Sequence, residues 1–206
     1  MGFLIAVEGI DGSGKTTIAH YLKEVLQEFG FESEILKEPG DSVFGKMIKT
    51  SKQRFPPEKE LELFILDRME NVEKNILPRI SRCVTVILDR YYYSTIAYQG
   101  ALGMDTEMIR TKNEEFAPKP DLTIIIDVSP ETALKRIRKR GKLTGFEDPN
   151  YLEKVRQIYK SLKSDEIVFV NGEGPIERVK EECYSAVMGL ISSRGSLFEM
   201  SLRKWY

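Results

Sequence analysis

Gly9-Ile10-Asp11-Gly12-Ser13-Gly14-Lys15-Thr16 reads G-x-x-x-x-G-K-[ST], the phosphate-binding P-loop pattern. Phe3-Leu4-Ile5-Ala6-Val7 precedes it as an apolar run of strand length. Ile18, Tyr21, Leu22, Val25, Leu26 and Phe29 follow it at helical spacing. The motif therefore sits on a strand-to-helix turn, where backbone N–H groups and a helix N-terminus point at an anion. Its glycines let the backbone wrap closely round phosphates. Gly9 to Thr17 is the expected nucleotide cradle. Lys15 is placed to reach β- and γ-phosphates, and the Thr16 hydroxyl to bind Mg²⁺.

Working outward, apolar strands alternate with helical patterns. Strands are predicted over 32–37, 84–88, 122–126 and 167–170. A long helix is predicted after Pro56-Pro57, with Leu61, Phe64, Ile65, Met69, Val72 and Ile76 on its apolar face. Further helices are predicted over 93–99, 106–115, 130–140 and 151–162, and after Pro175. Continuous apolar strands of this kind make an α/β fold: a parallel sheet covered on both faces, with ligands bound outside the carboxyl ends of the strands.

Asp89 and Arg90 stand at such a strand end. Asp89 is placed to hold Mg²⁺ directly or through water, and Arg90 to clamp phosphate. Asp127 also ends a strand, where it either serves the site or caps the helix that begins near Pro130.

The chain of 206 residues has room for one domain with a full core. With 31 basic and 32 acidic residues, its net charge of -1 argues against a general nucleic-acid binder. No apolar run approaches spanning length and no signal-peptide pattern opens the sequence, so no membrane partner and a cytoplasmic location are expected. Cys83 and Cys183 read as core thiols. A P-loop alone leaves kinase, GTPase and motor ATPase open. No N-K-x-D base-reading motif is present (Thr111-Lys112-Asn113 does not fit), and the chain is short for a motor. A small phosphotransferase remains.

Five stretches occur in the order seen in thymidylate kinases. They are Glu8 to Thr17, Glu38-Pro39-Gly40, Phe64-x-x-x-Arg68, Asp89-Arg90-Tyr91-x-x-Ser94-x-x-Ala97-Tyr98-Gln99-Gly100, and Lys119-Pro120-Asp121-Leu122-Thr123. The resemblance covers residues 3–191 and implies a three-layer P-loop kinase fold with a five-stranded parallel sheet of order 2-3-1-4-5. It also implies ATP-dependent phosphorylation of dTMP to dTDP with Mg²⁺, in a homodimer. By resemblance, Asp11 lies near the 3′-hydroxyl, Phe64 stacks on thymine and Arg68 donates to its O4. Arg90 contacts the dTMP phosphate, Ser94, Thr95 and Gln99 line the base pocket, and Tyr98 crowds the 2′ position. Glu38 belongs to the loop over the acceptor phosphate. Phe64 and Arg68 are four apart on one helix, so they can share a face. Read without the resemblance, Phe64 is ordinary core packing. The rival functions are another nucleotide or deoxynucleoside kinase, and an ATP-binding regulatory protein without transfer activity.

The family places a catalytic arginine in the P-loop or in a mobile lid, here expected at about 141–150. The two corresponding positions are Gly12 and Thr144-Gly145. Arg136, Arg138, Arg140 and Lys142 stand nearby. Two residues turn a helix through about 200°, so the three arginines cannot all face one phosphate. Arg136 and Arg140 share a face and are the candidates, the remainder being a solvated basic surface. Residues 192–206 lie beyond the resemblance. They carry Leu197, Phe198, Met200, Leu202, Trp205 and Tyr206, so this extension is expected to pack on the domain or on a partner subunit.

Overall fold

The computed structural model describes residues 2–139 and 148–203, with side chains described up to residue 193. Five parallel strands, β1 (Leu4–Glu8), β2 (Ser33–Lys37), β3 (Thr85–Asp89), β4 (Leu122–Asp127) and β5 (Ile167–Asn171), form one sheet in the order β2-β3-β1-β4-β5. This is the expected 2-3-1-4-5 order. β1 and β3 are buried along their whole length. Both faces of these strands are covered, so their sequences read as continuous apolar runs.

Helix α1 (Lys15–Glu28) and helix α9 (Ile176–Arg203) pack on each other and on the sheet. Helices α3 (Pro57–Asn71), α5 (Tyr92–Gly100), α6 (Thr106–Glu114) and α8 (Pro149–Ser161) form a second connected group. The remaining helices are α2 (Val43–Thr50), α4 (Leu77–Ser81) and α7 (Pro130–Lys139). Asp89 is in register with Val7 of β1 and Lys37 of β2, so the chemistry-bearing ends of three strands lie side by side.

Several expectations change. α2 carried no predicted helix; it starts where the Ser42 hydroxyl accepts from Gly45 N. The long helix after Pro57 gives way to a π-turn over Val72–Ile76. Leu61, Val72 and Ile76 are buried as expected, whereas Met69 is 46% exposed. Cys183 is buried but Cys83 is exposed, in a left-handed turn (φ 62) just ahead of β3. α9 continues through the expected C-terminal extension to Arg203. The packing expected of Leu197, Phe198, Met200, Leu202, Trp205 and Tyr206 falls on side chains outside the described residues. So do Arg140 and most of the expected lid at 141–150. Among the described residues no helix is long and apolar enough to cross a membrane.

Candidate active site

The loop after β1 turns at three glycines in positive φ, Gly9 (135), Gly12 (82) and Gly14 (107). Gly14 is the N-cap of α1, so the loop's amides lead into the helix N-terminus. A Cβ at Gly12 would stand 2.5 Å from the Ala133 carbonyl oxygen of α7. An arginine at that position is therefore sterically barred as well as absent. Lys15 is buried, and its Nζ donates to Gly9 O (3.0 Å) and Ile10 O (2.9 Å), which fixes the ammonium at the loop. Burial, helped by the Arg90 charge, pushes Lys15 down to about 7.

Thr16 follows on α1, and its hydroxyl donates to Asp89 Oδ2 at 2.5 Å. Burial works against charge on Asp89, yet this bond and the Lys15 charge hold its carboxyl below the usual range. The other oxygen, Asp89 Oδ1, is buried without a hydrogen-bond partner among the described residues. An ionised carboxylate with a spare oxygen beside a threonine hydroxyl is a donor set that suits Mg²⁺, which prefers one or two carboxylates plus phosphate and water. No cluster of three or more metal-binding side chains occurs among the described residues.

Arg90 adopts φ 76, a strained value for a side chain with a Cβ. Glu8, fully buried at the end of β1, holds this corner. Its Oε1 accepts from Tyr91 N (2.8 Å) and Ser94 N (3.2 Å). Its Oε2 accepts from Ser94 Oγ (2.5 Å) and the Tyr159 hydroxyl (2.9 Å). The Arg90 guanidinium pairs with Asp11 Oδ1, bonds Ser94 Oγ at 3.2 Å and lies 5.2 Å over the Tyr98 ring. Tyr98 closes the group, donating to Asp11 Oδ2 (2.9 Å) and accepting from Asp11 N (3.0 Å). Burial alone would raise the Asp11 carboxyl, but Arg90 and Lys15 hold it at about 2.

From this group a cavity of about 260 Å³ opens away from the loop. Asp11, Glu38, Phe64, Arg68, Arg90, Ser94, Thr95, Tyr98 and Gln99 all line it, so the expected acceptor-site residues come together in one place. Phe64 is half-buried on the cavity wall and is not among the side chains packed on the main core. Arg68 is buried: Nε donates to Glu38 Oε2 (2.8 Å), Nη2 to Thr95 Oγ1 (3.0 Å) and Nη1 to Asn113 Oδ1 (2.5 Å). Asn71 Nδ2 adds a bond to Glu38 Oε1 (3.2 Å). Desolvation pushes the Glu38 carboxyl up despite Arg68 beside it. Asp67 ties down the same loop, accepting from Gly40 N (2.7 Å) and Ser42 Oγ (2.5 Å).

Other expectations divide. Asp127 neither enters the cavity nor caps α7. It forms a two-point pair with Arg156 of α8 (2.6 and 2.9 Å), and Ser129 Oγ accepts the α7 cap bond from Thr132 N (3.2 Å). Arg136 spans two backbone carbonyls, Gly172 O (2.7 Å) and Ser13 O of the P-loop (3.4 Å). Arg138 lies apart, beside Glu131, Lys135 and Lys139.

Sequence reasoning missed Arg54, Glu60 and Tyr151, which also line the cavity, and Asn113 behind Arg68. Their only signal was the bare occurrence of polar residues, Arg54 in the segment before α3 and the others on helices, which also describes a solvated surface.

A parallel sheet of order 2-3-1-4-5, a phosphate loop after the central strand and an Asp-Arg corner on its neighbour define a P-loop kinase. The family model described as thymidylate kinase matches residues 7–183. A relative from Archaeoglobus fulgidus named "Probable thymidylate kinase" is 53% identical over 189 residues, covering 92% of this chain and 96% of its own. One from Brachyspira hyodysenteriae named "Thymidylate kinase" is 43% identical over 163 residues, covering 78% and 80%. One from Xylella fastidiosa strain M12, also "Thymidylate kinase", is 38% identical over 193 residues, covering 92% and 87%. The chain belongs to the thymidylate kinase family.

Proposed function

We propose that the protein transfers the γ-phosphoryl group of ATP in line to the 5′-phosphate of dTMP, giving dTDP and ADP, with Mg²⁺. The observation that carries this reading is the Arg90 guanidinium. It is paired with Asp11 of the P-loop on one side and lines the acceptor cavity on the other. A cation so placed can neutralise donor and acceptor phosphates together. The acceptor phosphate is already ionised, so catalysis rests on positioning and charge neutralisation rather than on a general base.

The loop from Gly9 to Thr17 would cradle the ATP phosphates, with Lys15 against the β- and γ-oxygens. Thr16 and Asp89 would hold Mg²⁺, which when bound supplies charge neutralisation at the phosphates. Phe64 offers a ring face for stacking, and Arg68 Nη1 makes only one of its two possible bonds among the described residues, leaving a donor for a ring carbonyl. Gln99 Oε1 is buried without a partner there and can accept from a ring N–H. Thr95 and Glu38 hold Arg68 in place, Ser94 holds Arg90, and Tyr98 stands beside Asp11, where a 2′-hydroxyl would be crowded. Of the two candidates Arg136 and Arg140, Arg140 is the proposed source of the remaining transition-state cation, because Arg136 is engaged by the Gly172 and Ser13 carbonyls. The proposed assembly is a twofold homodimer, which light scattering at micromolar concentration would report as twice the chain mass.

A coupled assay of ADP formation with Mg²⁺, ATP and a panel of nucleoside monophosphates tests this reading. Turnover confined largely to dTMP supports it. Preference for another nucleotide, or no transfer at all, would replace it with a different kinase or a non-transferring ATP binder.

A further inference from the structure

Helices α3 and α5 touch across the cavity at two polar points, with Phe64 between them. Arg68 Nη2 donates to Thr95 Oγ1 (3.0 Å), and Gln99 Nε2 donates to Glu60 Oε2 (2.6 Å). Glu60, Phe64 and Arg68 recur every four residues on α3, as do Thr95 and Gln99 on α5, so each set shares one helical face.

A primary amide has two ends of nearly equal size, one accepting and one donating. Which end faces a ligand is set by what the other end meets. Glu60 is a buried carboxylate, able only to accept when ionised. Its Oε2 takes Gln99 Nε2 together with Arg54 Nε and Nη2, both at 3.0 Å. Arg54 is itself placed by the Tyr151 hydroxyl (2.7 Å) and the Tyr151 ring (4.9 Å), and Tyr151 donates to the Tyr98 carbonyl (2.8 Å). Turning the amide over would set its carbonyl against the carboxylate, two acceptors face to face.

We infer that Glu60, held by Arg54, is the positioning residue that fixes the polarity of the Gln99 amide, and so makes Gln99 Oε1 the acceptor the cavity presents. This inference rests on the dTMP reading above and deepens it. A ring with N–H at position 3, as in thymine and uracil, satisfies Oε1. Cytosine carries an acceptor there and leaves two acceptors opposed. Specificity at that edge of the base is then set by a residue that never touches it.

The test compares kcat/KM for dTMP and dCMP in the full-length protein and in Glu60→Gln, Gln99→Leu and the double variant, with ADP affinity read alongside. An amide at position 60 can meet either end of Gln99. Glu60→Gln should therefore lower the dTMP:dCMP ratio by about tenfold or more, mainly through KM for dTMP, with ADP affinity within about twofold. The same change in the Gln99→Leu background should cost little further selectivity. Because Glu60→Gln removes the carboxylate facing Arg54, the paired Arg54→Gln/Glu60→Gln variant is measured too, and the same loss of selectivity is expected. Equal loss for both nucleotides, or an undiminished loss in the Gln99→Leu background, makes Glu60 a structural residue and overturns the inference. A wild-type protein with no preference for dTMP overturns the substrate reading and this inference together. A wild-type preference untouched by either variant overturns this inference alone.

Discussion

Arg68 Nη2 lies 2.6 Å from Glu38 Oε2, and the two side chains keep only 1% and 3% of their surface exposed. The residue expected to read the base is thus half of a buried ion pair. Deleting one partner of such a pair costs about 3–5 kcal/mol, because the other charge is left uncompensated. Arg68→Met should therefore lower the melting temperature by roughly 6–20 °C as well as weaken dTMP binding. Arg68→Met combined with Glu38→Gln should recover part of that stability while leaving dTMP binding weak. A double variant no more stable than Arg68→Met would show that the pair is not what anchors Arg68.

Lys15 is held at the loop by two carbonyls and has no second cation of the loop to replace it. Lys15→Ala should cut kcat by about 10²–10³-fold, the size of effect seen when one transition-state donor is lost. Steady-state turnover close to wild type would remove Gly9 to Thr16 as the ATP site.

The protonation of Lys15 gives a separate readout. Burial, helped by the Arg90 charge, pushes it down to about 7, and phosphate oxygens placed against it would raise it again. Above that pH the free protein holds a largely neutral amine, so binding ATP must take up a proton. ATP affinity should then fall as pH rises past about 7. Calorimetric titration at about pH 8 in two buffers of different ionisation enthalpy should show net proton uptake on binding. Zero uptake would mean that Lys15 is already charged in the free protein.

Arg136 is committed to the carbonyls of Gly172 and Ser13, a bracing position that touches the P-loop backbone. Arg136→Ala should raise KM for ATP, with a smaller effect on kcat, and Arg138→Ala should do little. Arg140→Ala is expected to lower kcat by far more than it changes ATP affinity, the signature of a group acting in the transition state. Equally mild effects at 136, 138 and 140 would leave that arginine role to Arg90.

What could be read from the sequence was what local pattern encodes. The P-loop, the buried strands and the Asp-Arg corner each occupy a few consecutive residues, and a parallel sheet aligns their ends. The supporting contacts were illegible because they join distant positions. Gln99 meets Glu60 39 residues away, Arg68 meets Asn113 45 away and Arg54 meets Tyr151 97 away. Nothing in a charge on a helix tells whether it faces solvent or a partner that far along the chain. Met69 was misread for a different reason: the buried face of α3 also carries Glu60, Asp67, Arg68 and Asn71, polar residues that an apolar pattern assigns to solvent, and Met69 lies off that face. Cys83 was misread because its turn into β3 is set by backbone geometry and not by apolar pattern.

We propose that this cavity selects thymine. Arg68 carries donors only, and Gln99 Oε1 is a buried acceptor without a partner among the described residues, so a base meeting both lining residues must bring an acceptor beside a donor. Thymine matches that pattern at O4 and N3–H, while cytosine opposes it at both positions. Each mismatched buried group costs about 1–3 kcal/mol, and each 1.4 kcal/mol is tenfold in rate. The most direct measurement is the ratio of kcat/KM for dTMP to that for dCMP in the unmodified protein at saturating ATP and Mg²⁺. The predicted ratio is at least about a hundredfold, with dUMP, which lacks only the methyl group, a poorer but real substrate. A protein that phosphorylates dCMP or AMP as efficiently as dTMP would contradict the claim and reduce Arg68 to a structural partner of Glu38.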